Sequence, residues 1–155
     1  MIDWHQHTVA EFERIVNLLV KAEWSGDSKS IVEPVDGRGG DAGVDIDVKH
    51  HDNAHTVYQL KFFRDGISGG NSHRRKQITD SWNRIKERND VLEWVLVLPT
   101  ELTPAEKEFL QRLENPNNVK ISYWGKADLD FLLTKHPQIA NYADKTPFHL
   151  KAAQL

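Results

Sequence analysis

Apolar residues recur with helical spacing near the start of the chain: Val9, Phe12, Ile15, Val16, Leu19 and Val20 share one arc over residues 9–23. Thr8 and Glu11 stand in the S/T-x-x-E relation of a capping box, which predicts a helix beginning there. Residues 30–35 are β-branched but contain Pro34, as suits an edge strand or a strand end. The segment Gly-Arg-Gly-Gly-Asp-Ala-Gly follows as a loop. The pattern then changes to period two. Residues 44–48 and 56–63 alternate apolar and polar positions, and the polar His-Asp-Asn-Ala-His between them reads as a hairpin connection.

After a Gly/Ser-containing loop, Ile78, Trp82 and Ile85 predict a second helix over residues 72–88, basic on its other faces. The near-continuous apolar run Val91 to Leu98 ends at Pro99, the mark of a strand covered on both faces. Thr103, Pro104 and Glu106 make a second helix start, residues 119–124 a further strand, and residues 126–135 a helix ended before Pro137. The predicted order is α, β, β, β, α, β, α, β, α. This is an α/β fold, a mixed sheet flanked by helices, in which the hairpin is antiparallel and the later strands return through crossover helices.

At 155 residues the chain is the size of one domain, and no apolar run reaches the roughly 18 residues of a membrane helix. The opening residues lack the basic and apolar regions of a signal peptide, so a cytoplasmic location is expected. The absence of cysteine excludes disulfides, thiolate nucleophiles and Cys-based zinc sites, leaving oxygen and imidazole as metal ligands. The net charge of −3 is unevenly spread: residues 61–88 carry eight Lys/Arg against three acids. A local basic field of this kind suits a phosphate-bearing partner, and Arg74, Arg75 and Lys76 at the start of the second helix are the expected nucleic-acid contacts. A solvated basic helix face is the plain alternative.

A hairpin turning near Asn53 sets Asp45 opposite Gln59, with Lys61 on the same face and Tyr58, Leu60 and Phe62 on the other. A carboxylate, an amide and an ammonium thus share one mid-sheet patch, which is either a salt-bridged surface or a site. Glu13 lies at the edge of the first helix's apolar arc. Because Glu11 has a capping role, Glu13 is the better candidate for a carboxylate directed at the sheet. Asp41 and Asp47 are nearby acids with weaker claims. Gly37–Gly40 lacks the Gly-Lys-Ser/Thr ending of a P-loop. The pairs around His5 and His7, and His50, His51 and His55, read as solvated terminal and turn histidines, and Trp82 as core.

Glu13 in a first helix, Gly-Asp-x-Gly-Val-Asp-Ile at 40–46 and Tyr-Gln-Leu-Lys at 58–61 resemble the PD-(D/E)xK nucleases, specifically the Mrr-like restriction endonuclease branch in which Gln replaces the second acid. The resemblance covers roughly residues 9–88. It implies a single restriction-endonuclease-like domain, an α-β-β-β-α-β core over about residues 9–98 with a C-terminal α/β extension over about 99–155. It also implies a Mg²⁺-dependent endonuclease acting on double-stranded DNA, with Mn²⁺ as a possible substitute, in bacterial restriction or antiphage defence. Carried over by position, Asp45 is the main metal ligand, Glu13 a helix-borne carboxylate near the ion, Gln59 the replacement for the second acid, and Lys61 the catalytic lysine. The Gln59 amide oxygen and the Leu60 backbone carbonyl complete an oxygen set of the kind Mg²⁺ prefers beside several waters. Such domains can be joined to NTPase sensor modules, and cutting both strands requires two copies on opposite strands or a slow pair of nicks. Two other classes stay open: a catalytically weak nucleic-acid-binding module of the same fold, and an interaction domain in which Asp45 and Lys61 form a structural pair.

Overall fold

The structure, a computed structural model, describes residues 2–35, 45–68 and 73–153, with side chains described up to residue 145. After a 3-10 turn at Trp4–Gln6, the chain forms α1 (Val9–Trp24), β1 (Ile31–Pro34), β2 (Ile46–Lys49), β3 (His55–Leu60), α2 (His73–Asn83), β4 (Val91–Val97), α3 (Pro104–Gln111), β5 (Lys120–Trp124), α4 (Lys126–Lys135) and α5 (Pro137–Ala153). The strands make one sheet in the order β1-β2-β3-β4-β5. The first two pairings are antiparallel, and β3-β4 and β4-β5 are parallel. The fold is therefore α/β, with a mixed sheet between helices. Among the described residues no helix is long and apolar enough to cross a membrane.

Alternation along the strands builds two apolar layers. On one face Ile46, Val48, Tyr58, Leu60, Val95 and Val97 pack with the buried stripe of α1, with Leu129, Leu132 and Leu133 of α4, and with Ala143 of α5. On the other, Val57, Trp94, Leu96 and Leu98 pack against Ile78 and Trp82 of α2 and Leu110 of α3. The hairpin register is the predicted one: Ile46 pairs with Tyr58 and Asp47 with Val57. Asn53 takes a left-handed φ of 66° in the connecting turn, a conformation Asn tolerates.

Both predicted capping boxes form, at Thr8/Glu11 and Thr103/Glu106. Glu106 is 2 % exposed and its Oε2 also accepts from the Ser68 backbone and hydroxyl, each at 2.9 Å. Burial alone would raise its pKa, but the hydrogen bonds from Thr103 and Ser68 outweigh that and hold it below the ordinary value. Two boundaries differ from expectation. The helix of 72–88 ends at Asn83, and residues 84–87 continue as turns that still bury Ile85. β3 ends at Leu60 rather than Phe63. The helix over 126–135 ends before Pro137 as expected, but Pro137 also opens a further helix, α5, that was not anticipated; a first-turn proline has no N–H to miss.

Candidate active site

Asp45 sits where the sheet's backbone grips it from both sides. Its N–H donates to the Tyr58 carbonyl and its own carbonyl accepts from the Val35 N–H, each at 2.8 Å. Its side chain turns toward β3. Oδ2 accepts from Gln59 Nε2 at 2.7 Å and from the Leu60 N–H at 2.8 Å. The Leu60 N–H lies beyond the last β2-β3 residue pair, so the carboxylate stands in for a strand carbonyl. Gln59 is 1 % exposed, and an amide buried that deeply needs such partners. Two donors on one carboxylate oxygen fix the orientation of Asp45.

The carboxylate opens on a cleft of about 330 Å³ between α1 and the start of β2, lined by Glu13, Arg14, Asn17, Asp45 and Leu60 among others. Helix one separates the two acids as expected. Glu11 is buried at 3 % exposure and its carboxylate is committed, accepting from the Thr8 N–H at 3.1 Å and facing His7 Nδ1 at 3.0 Å. Glu13 is exposed on the wall of the cleft. Asn17, one turn further along the same face, was not anticipated. Its Oδ1 is buried with no hydrogen-bond partner among the described residues, and its i,i+4 spacing from Glu13 was the available signal.

Lys61 is the first residue after β3. It is half-buried and its N–H still pairs with the Val97 carbonyl at 3.0 Å, which carries the strand's alternation on to it and keeps it on the Gln59 face. Asp47 is engaged elsewhere, 2.8 Å from His55 Nδ1. Asp41 and the Gly-rich segment 37–43 lie outside the described residues.

The basic stretch is partly neutralised. Arg74 pairs with Asp65, donates to the Gly66 carbonyl at 2.5 Å and lies over the Phe63 ring. Lys76 pairs with Asp80 at 2.8 Å, Lys86 with Glu114 at 3.1 Å and Arg88 with Asp90 at 2.8 Å. Arg75 stacks on Phe109 with its guanidinium 5.2 Å from the ring centre. Several histidines are also more engaged than expected. His7 is buried against Glu11, and His50 bridges Ser30 Oγ at 2.8 Å and Thr56 Oγ1 at 2.9 Å.

Among the described residues no three His, Asp or Glu side chains converge as a metal cage. The donors at the cleft nonetheless fit Mg²⁺, which keeps several waters and is commonly held by one or two carboxylates together with a substrate phosphate. Asp45 and Glu13 are two such carboxylates on one cleft. Gln59, with Nε2 turned to Asp45, acts on that donor set through Asp45. No family model matches the chain, and no curated protein or solved structure shows significant similarity to it.

Proposed function

We propose that this domain is a Mg²⁺-dependent endonuclease that hydrolyses DNA phosphodiester bonds, in the setting of bacterial restriction or antiphage defence. The observation that carries this reading is the Asp45 carboxylate, pinned by Gln59 and the Leu60 N–H and shared with Glu13 on one open cleft. The likeness of Asp45, Gln59 and Lys61 to the nuclease motif points the same way.

Asp45, Glu13 and the Leu60 carbonyl would hold the ion. When bound, it would supply Lewis acidity that lowers the pKa of the attacking water and offsets charge on the phosphate. Gln59 keeps Asp45 oriented. The Lys61 ammonium, next along the same face, stabilises the extra negative charge that develops on the phosphoryl oxygens as water adds and the sugar oxygen leaves. The cleft's openness suits a polymer that must lie across it. A non-catalytic nucleic-acid module is the second reading, favoured by the amide at position 59, which leaves the site one negative charge poorer.

Plasmid cleavage with Mg²⁺, Mn²⁺ or EDTA, comparing the native protein with Asp45→Asn and Lys61→Ala, tests the proposal. Metal-dependent cutting lost in both variants is the expected result, with nicked circles preceding linear DNA because one site cuts one strand. Undiminished cutting by either variant would remove the site. Binding without cutting under every metal condition would establish the second reading.

A further inference from the structure

A second recess opens at the same edge of the sheet, where the parallel strands end. It has a volume of about 350 Å³ and is lined by Asp3, Trp4, His5, Arg64, Thr100 and Lys126, among others. Arg64 follows β3, Thr100 follows β4, and Lys126 opens α4 directly after β5, so the recess gathers groups from three successive strand ends. Ligand sites of open α/β sheets lie at this edge.

Two residues that line it each bury a polar atom without a partner among the described residues. Trp4 is 3 % exposed, yet its Nε1 has no hydrogen-bond partner among the described residues, and the same is true of the buried Thr100 Oγ1. An indole N–H can only donate, so what completes it is an acceptor. Leaving such a donor unsatisfied is costly enough that native structures seldom do so without a ligand or a water. The charge around the recess selects the kind of acceptor. Arg64 is exposed, donating to the His5 carbonyl at 3.3 Å and lying over the Phe62 ring, and Lys126 is partly exposed, whereas the one lining carboxylate among the described residues, Asp3, already caps the Trp4–Gln6 turn through the His5 N–H at 3.0 Å. Lys126 pairs with Asp130 at 2.8 Å, a contact within its own helix that an incoming anion can share.

A group with several acceptor oxygens and negative charge answers both features. We propose that the recess binds a phosphodiester group of the strand whose neighbouring phosphates lie at the Asp45 cleft. This rests on reading that cleft as a nuclease site. The strand would run along the carboxyl edge of the sheet, held at one point by Arg64, Lys126 and the Trp4 N–H and presented for cutting at the other.

The test follows the Trp4 indole N–H resonance in ¹H–¹⁵N spectra, assigned with Trp4→Phe. The protein in EDTA is titrated with inorganic phosphate, with chloride at matched ionic strength, and with a DNA duplex lacking terminal phosphates. The expected result is a saturable shift with phosphate and with duplex, absent with chloride, and roughly tenfold weaker or more in Arg64→Gln/Lys126→Gln. Thr100→Val, which is nearly isosteric, should also weaken it. No Trp4 shift with either phosphate source, or an undiminished one in the double variant, would overturn the site. A shift with inorganic phosphate alone would overturn the strand as its source in favour of a free phosphate compound. Metal-dependent cleavage without a Trp4 response would sink the recess and spare the nuclease reading; a Trp4 response in a protein that never cleaves would do the reverse.

Discussion

Gln59 Nε2 and Asp45 Oδ2 lie 2.7 Å apart, so a charge change at position 59 would report on the ion proposed at Asp45. In Gln59→Glu a carboxylate faces a carboxylate, so without metal the variant should lose about 1–3 kcal/mol. Mg²⁺ should restore stability more strongly in the variant than in the native protein. Thermal unfolding in EDTA and in Mg²⁺ measures both effects, and equal Mg²⁺ responses would place the ion away from Asp45.

Glu11 and Glu13, two residues apart on α1, should respond in opposite ways. Glu11→Ala removes the capping box and the His7 partner and should cost about 1–3 kcal/mol of stability. Glu13→Gln should leave unfolding within about 0.5 kcal/mol of native, as exposed positions do, while reducing cleavage. A destabilised Glu13→Gln, or full cleavage by it, would contradict its assignment to the cleft.

Tyr58 offers a pH test of the apolar layer beneath the site. Burial pushes its hydroxyl up to about 12, assisted by Glu93 and Glu23 and opposed by the hydrogen bond from Trp24 Nε1. Because the folded pKa is raised, the stabilisation is complete below pH 10 and is lost as pH climbs from 10 toward 12. The two-unit gap corresponds to about 3 kcal/mol. Denaturant unfolding across that range should show the decline, and Tyr58→Phe should flatten it. An unchanged slope in the variant would assign the alkaline loss to other groups.

Arg74 and Lys76 sit two residues apart on α2 but differ in freedom. Arg74 is held by Asp65, Gly66 and Phe63, so Arg74→Glu should destabilise the 61–68 segment as well as weaken DNA binding. Lys76, whose side chain is 71 % exposed, should act through charge alone. Lys76→Glu should then weaken binding to all sequences alike and reduce the salt dependence by about one counterion. Binding by Lys76→Glu with the native salt slope would move the nucleic acid off this face.

Much of this arrangement was legible in advance where local rules and tertiary demands agree. The stripe of α1, the hairpin register and both capping boxes are short-range patterns that also satisfy the core. The register alone placed Asp45 against Gln59, and alternation alone separated Gln59 from Tyr58 and Leu60. The misread features are those that only distant partners decide. Pro137 marks the end of α4 as read, but it gives the same local signal whether or not another helix follows, so α5 went unseen. The end of α2 at Asn83 goes with contacts made far along the chain: Lys86 pairs with Glu114, and the Lys86 and Arg88 carbonyls accept from Asn117 Nδ2 instead of from another helical turn. The recess around Trp4 joins residues more than a hundred positions apart, from Asp3 to Lys126, and no periodicity announces that meeting.

Helix α1, which carries Glu13, is braced from outside by the last helical stretch of the chain: Arg14 donates to the Tyr142 hydroxyl at 3.3 Å, and Glu23 meets His136 at 3.0 Å. These contacts set an order on biosynthesis. At about 5–20 residues per second, Tyr142 is added roughly 6–26 s after Arg14. During that interval the nascent chain holds one carboxylate of the cleft on a helix that lacks its outer support.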